Sequence, residues 1–277
     1  MRRADGKRVK NLEPMEHLGP YFMNKRVDAM NAITLDIPYD PMQNYINENR
    51  KKGINYSHMA LIIAAYVRTL AEFPYLNRFV VNSKVYKRNE ICVAMVVLNG
   101  EEGSNEAKMY FEKTDTIMDV NEKIEKFIKE NRETPQDNGL EKVMKVMVKL
   151  PGLLKLIVGL IKFLDKHGML PKSLIDVSPF HSSLLISNLI SIRTNHIYHH
   201  IYEFGTTSLG VTMGNLREIP KRKGDEIVYE RTIPLGLVMD ERICDGYYFS
   251  KVFRKMKKYL KNPELLELPP EVINEDE

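Results

Sequence analysis

The side chains best suited to move protons near neutral pH fall in two short stretches of this 277-residue chain. His196, His199 and His200 form one cluster, and imidazole titrates near pH ~6.5. His196 and His200 have the i, i+4 spacing of ligands on a helix face, but no helical pattern surrounds them. The loop cluster is expected to be surface or structural, with no metal. The second stretch is Asp240-Glu241-Arg242 followed by Asp245-Gly246, where a strand-like apolar run gives way to an amphipathic helix. A free glutamate titrates near ~4.3, about two units below imidazole, so Glu241 is the weaker base unless burial raises it. A close approach of Arg242 would oppose that rise. Cys92 and Cys244 lie in apolar stretches with no matching base, which predicts buried free thiols in a reducing, cytoplasmic setting.

These residues need elements to hold them. Ala32–Ile37 reads as a first strand ended by Pro38, and Pro41–Arg50 as a short helix. Ser57 is a good N-cap for a helix whose apolar positions Met59, Ile62, Ile63, Tyr66, Val67 and Leu70 keep a 3.6-residue period, stopped by Pro74. Phe79–Val81 and Lys84–Tyr86 flank Asn82-Ser83, a hairpin turn. Ile91–Leu98 reads as a strand, with Ala107–Phe111 beside it. Ile117 to Phe127 marks an amphipathic helix. Ser183–Leu189, Thr206–Met213 and Ile227–Met239 read as strands, and Gly246 opens a long helix closed by Asn262-Pro263. Strands and helices in this order predict an α/β sandwich on a mixed sheet.

The Asp240–Gly246 stretch resembles the D-H-R-x-x-D-G signature of the dihydrolipoyl acyltransferase catalytic domain of 2-oxoacid dehydrogenase complexes. It is also similar to the H-x-x-x-D-G motif of chloramphenicol acetyltransferase. Asp240, Arg242, Asp245 and Gly246 match, and the histidine position holds Glu241. Ile186-Ser187-Asn188-Leu189 resembles the family's I-S-N-L strand, Leu70–Arg78 its helix end and turn, and Val211-Thr-Met-Gly214 the strand before the motif. Order and spacing agree from about Tyr21 to Leu266.

The resemblance implies the chloramphenicol acetyltransferase-like, CoA-dependent acyltransferase fold, a mixed sheet with flanking helices. It implies CoA or acyl-CoA as substrate, a small-molecule acyl acceptor and a homotrimer whose site lies between subunits. Ser187 falls where the family hydrogen-bonds the tetrahedral intermediate. Asp245 falls on a structural carboxylate whose expected partner is Arg26. From its own chemistry, Gly246 either relieves backbone crowding where strand turns to helix or is a plain turn glycine. Acyl transfer needs a base, an oxyanion donor and two aligned substrates. Three readings of the histidine position stay open. Glu241 is a tuned base, a histidine of the 196–200 cluster substitutes, or the chain is an inactive relative that binds CoA, an acyl ligand or a protein.

Composition bounds the rest. Hydrophobic residues make up 43% and charged residues 28%, with a formal net charge of +4, and no nucleic-acid-binding signature is present. The expected organisation is an N-terminal arm over 1–20, an acyltransferase-like domain over 21–267 and a frayed acidic tail over 268–277. The polar, basic opening is not expected to be a secretory signal, and no lipoyl-type region is expected ahead of the catalytic region. The apolar window 143–164 contains Lys145, Lys149, Lys155 and Lys162 and is broken by Pro151-Gly152, so it is not expected to span a membrane. Within 140–170, a helical insertion, the expectations are extra core packing, a lid or contact with a membrane surface.

Overall fold

Alternation of apolar and small polar residues along the central strands sets the architecture, because it gives the sheet one face for helices and another for a crossing loop. The computed structural model describes residues 3–98, 104–133, 149 and 151–276. In chain order its elements are β1 (Gly6–Arg8), α1 (Pro14–Phe22), β2 (Met30–Pro38), α2 (Tyr39–Lys51), α3 (His58–Glu72), β3 (Arg78–Val81), β4 (Lys84–Arg88), β5 (Ile91–Leu98) and β6 (Ser104–Phe111). These are followed by α4 (Ile117–Glu133), α5 (Pro151–Lys166), α6 (Lys172–Val177), β7 (Leu184–Asn188), β8 (Leu209–Met213), β9 (Arg217–Lys223), β10 (Glu226–Asp240) and α7 (Gly246–Lys261).

The main sheet runs β2-β10-β8-β7-β5-β6, with β9 paired to the first half of β10. It is mixed: β7 is parallel to both β5 and β8, and the other pairings are antiparallel. Leu35, Leu235, Leu237, Val211, Met213 and Ile186 are buried in one core with α3, α4 and α7. The central helix α3 starts where expected. Ser57 Oγ accepts from the Ala60 amide at 3.0 Å, and Ala60 through Ala71 are buried. A second, three-stranded sheet runs β1-β4-β3. Its β3–β4 turn has Asn82 and Ser83 at φ 51° and 54°, the left-handed pair of a tight hairpin.

Three expectations fail at the ends of the chain and at one turn. Residues 1–20 do not form an arm, since β1 pairs with β4, Pro14–Phe22 is helical and Val9 is in the core. Arg3, 7% exposed, holds Asp5 at 2.9 Å and Asp165 at 2.7 Å. Nor does the acidic tail fray. Asp276 is 4% exposed and bonds Arg78 at 2.6 and 2.8 Å, and the Asn274 amide donates to the Ala71 carbonyl at 2.8 Å. In both places a buried guanidinium recruits a carboxylate distant in sequence. At Gly246 an added Cβ would meet nothing within 4 Å, so the crowding reading fails and the plain turn glycine remains.

The 140–170 segment is described only in part; its residues 140–148 and 150 lie outside the described residues. Its described helix is α5. No described helix is long and apolar enough to cross a membrane.

Candidate functional site

Strand β10 carries the motif to the sheet end. Its last residue, Asp240, is fully buried and pairs in register with Met30. Asp240 Oδ1 accepts from Arg242 Nε at 2.8 Å and from the Arg242 amide at 3.1 Å, and Oδ2 accepts from Arg242 Nη2 at 2.7 Å. Arg26 Nε stands 3.5 Å from the same carboxylate. Arg26 is 2% exposed and donates to the Tyr202 and Gly205 carbonyls, while its amide donates to Glu203 at 2.7 Å. Two buried guanidiniums thus meet one buried carboxylate, with the exposed Glu203 on the Arg26 amide at the edge, and the cluster holds the turn after β10 rigid.

The Arg26 partner is therefore Asp240 and not Asp245. Asp245 instead caps α7, its carboxylate accepting from the Tyr248 amide at 2.7 Å, which satisfies an orphan donor of the helix start. Arg242 also turns inward, donating to the Met23 carbonyl at 3.1 Å. Glu241, between the two buried members of the pair, is half-buried at the rim. Its amide donates to the Ala29 carbonyl and its carboxylate accepts from Asn31 Nδ2, both at 2.9 Å.

Ser187 sits elsewhere. It pairs with Thr212, which pairs with Gly236, which pairs with Thr34. This row of small and hydroxylated residues crosses the sheet on the face away from the helices. The chain from 194 to 202 runs over that row. Thr212 Oγ1 donates to the Ile197 carbonyl at 2.5 Å and accepts from the Ile197 amide at 3.0 Å. Thr34 Oγ1 contacts His196 Nε2 at 2.9 Å and the Tyr198 hydroxyl at 2.6 Å. The close approach requires Gly214 and Gly236, where a Cβ would strike the backbones of His196 and Ile197. Alternation in the sequence marks Thr34 and Thr212 as facing away from the core, but nothing in it says what covers them.

Ser187 also lines a cavity of about 250 Å³ with Met59, Met95, Val97, Ile128 and Ile192, and no residue of α5 reaches it. The register separates Ser187 from Glu241. From position 236 to 241 the chain advances about 17 Å at ~3.4 Å per residue. Two strand spacings add about 10 Å across, so the two side chains of one copy stand roughly 20 Å apart.

The histidines join neither residue. His196 stands on Thr34, while His199 and His200 stack on each other with centroids 4.4 Å apart. Among the described residues, no three His, Cys, Asp or Glu side chains are grouped as metal ligands would be. Cys92 and Cys244 are free and buried, and burial pushes the Cys244 thiol well above its ordinary range.

Comparison with known proteins agrees with the motif and the architecture. The family model of the 2-oxoacid dehydrogenases acyltransferase (catalytic domain) matches residues 182–268. The dihydrolipoyllysine-residue acetyltransferase component of the acetoin cleaving system of Bacillus subtilis (strain 168) is 33% identical over 85 residues, which are 31% of this chain and 21% of that protein's length. A probable dihydrolipoamide acetyltransferase from Listeria monocytogenes 4b F2365 has a similar fold, with a TM-score of 0.58 at 13% identity over 92% of this chain and 94% of that one. A chloramphenicol acetyltransferase gives 0.57 at 14% identity over 92% of this chain and 100% of that one. A truncated catalytic core of the 2-oxoacid dehydrogenase multienzyme complex from Thermoplasma acidophilum gives 0.57 at 12% identity over 93% and 99%.

Proposed function

Taking the fold of the dihydrolipoyl acyltransferases as premise, we propose that this chain is a CoA-dependent acyltransferase. Its reaction centre is assembled between the copies of a trimer, each copy lending Glu241 to the Ser187 of a neighbour. The observation that carries this is the separation of roughly 20 Å between the two side chains within one copy, too far for both to touch one reacting carbonyl.

In that assembly the Glu241 carboxylate takes the proton of the acceptor as the acceptor attacks the thioester carbonyl. The Ser187 hydroxyl donates to the oxyanion that forms. The carbonyl is restored as the carbon–sulfur bond breaks, and the proton passes from Glu241 to the departing CoA thiolate. The buried Asp240–Arg242 pair, with Arg26 beside it, fixes the backbone on which Glu241 stands. Asn31 orients the carboxylate. The apolar cavity at Ser187 suits the hydrocarbon end of an acyl group.

The test combines assembly with activity. Light scattering at micromolar concentration is expected to give a trimer, and a monomer would remove the shared site. Acyl exchange between acyl-CoA and a small thiol is then measured for wild type, Glu241→Gln and Glu241→His. A positioned base contributes about 10²–10⁴-fold, so Glu241→Gln should lose that much. A silent wild type that gains activity with Glu241→His would instead identify an inactive relative with an open channel. If all three are silent and none binds CoA, the acyltransferase reading fails and only the fold remains.

A further inference from the structure

Helix α5 carries an apolar surface that neither the core nor the proposed reaction uses. At 3.6 residues per turn its side chains divide into three lines. Leu154, Ile157, Ile161 and Leu164 are half-buried against the body. Leu153, Leu156, Leu160 and Phe163 form a second line, 45%, 69%, 54% and 52% exposed. Lys155, Lys162 and Lys166 form a third, fully on the solvent side. The one acidic residue of the helix, Asp165, is buried and paired with Arg3 at 2.7 Å, so no carboxylate of α5 offsets the lysines. Lys162 and Lys166 also rim a cavity of about 510 Å³ that Lys25, Asn82 and Ser83 close from the other side.

We infer that α5 docks the protein on an anionic phospholipid surface. The exposed leucines and Phe163 enter the acyl boundary, and Lys155, Lys162 and Lys166 extend to the headgroup phosphates, with Lys25 reaching a headgroup held in the adjoining cavity. The helix lies in the interface and does not span it. Its 16 residues reach about 24 Å, short of a hydrocarbon core of ~30 Å. The charge pattern selects lipid over a second copy of the chain. A lysine line without carboxylates on the same helix repels its own copy, and four exposed side chains fall short of the ~800 Å² per partner that a stable interface buries. This inference does not depend on the acyltransfer reading.

The test is flotation of the full chain with neutral phosphatidylcholine vesicles and with vesicles that also contain phosphatidylglycerol. Binding is expected only with the anionic lipid and should weaken as salt rises. The Lys155→Gln/Lys162→Gln/Lys166→Gln variant should bind on the order of a hundredfold more weakly, at about fivefold per lysine. The Leu156→Glu/Phe163→Glu variant should lose binding, with its circular dichroism and oligomer size unchanged. No binding, equal binding to neutral vesicles, or wild-type binding by both variants would overturn the inference. So would a change of oligomer size in Leu156→Glu/Phe163→Glu, which would assign the face to a second copy.

Discussion

Asp240→Asn should be among the most damaging single substitutions in the chain, although it changes one atom and leaves the shape intact. The native carboxylate is fully buried, accepts three hydrogen bonds from Arg242 and lies 3.5 Å from Arg26. The amide removes the charge that holds two buried guanidiniums together, and leaves Glu203 as the remaining counter-charge. Breaking a buried ion pair from one side costs about 3–5 kcal/mol. At about 2–4 °C per kcal/mol for a domain near this size, the melting temperature should fall by about 10 °C. Glu241→Gln, one residue along, supplies the control. Its carboxylate is half-buried and accepts from Asn31, so stability should stay within about 0.5 kcal/mol. Adding Arg242→Met to Asp240→Asn should recover part of the loss, because it removes one of the stranded charges. Calorimetry of the four proteins decides the matter. A fall of under about 2 °C for Asp240→Asn, or equal effects of the Asp240 and Glu241 changes, would refute the argument from buried charge.

Arg3→Met should destabilise at neutral pH and progressively less toward acid. Burial alone would raise the Asp5 and Asp165 carboxyls, but Arg3 holds Asp5, and His181 followed by Arg3 holds Asp165, below the ordinary value of 3.8. Their contribution is therefore present above that value and is lost as pH falls through the lowered native values. Melting temperatures of wild type and variant should converge on acidification, and a constant gap down to pH ~3 would contradict the linkage. Gly236→Ala should cost about 1–3 kcal/mol, because its Cβ meets Thr212 Oγ1 at 2.8 Å as well as the Ile197 carbonyl. Limited proteolysis should then cut within 194–202 faster than in wild type, and unchanged cutting would mean that the glycine does not hold the crossing segment.

Local chemistry was legible in the sequence wherever the partners were near in the chain. Ser57 announces its helix, Asn82-Ser83 its hairpin and the Leu235–Gly246 motif its strand, turn and helix, and each is found in place. Strand and helix ends were read short by a few residues, as at Met30–Pro38, because pairing with β10 extends the strand beyond its apolar alternation. The choice between Asp240 and Asp245 as the partner of Arg26 was not legible. Both carboxylates flank the same turn, and only the fold shows that one is buried while the other meets a helix start. The crossing of 194–202 was hidden for another reason. It has no periodicity of its own and is held by Thr34, Thr212, Gly214 and Gly236, residues of other strands. The ion pairs of Arg3 and Arg78 join residues more than 150 positions apart, beyond any pattern read along the chain.

The β1–β4 pairing and the Arg78 ion pair place both ends of the described chain against one hairpin. Gly6 pairs with Arg88 on β4, and Asp276 is held by Arg78 on β3 and by Lys87 on β4. The hairpin works as a buckle that fastens the two ends of the described chain to neighbouring strands. A short peptide joining the two ends would then close the chain into a ring with little rearrangement, and the exposed Lys223-Gly224-Asp225 turn offers a place to open it again. A circularly permuted chain of this kind would keep the order of the sheet strands while moving its free ends away from the buckle.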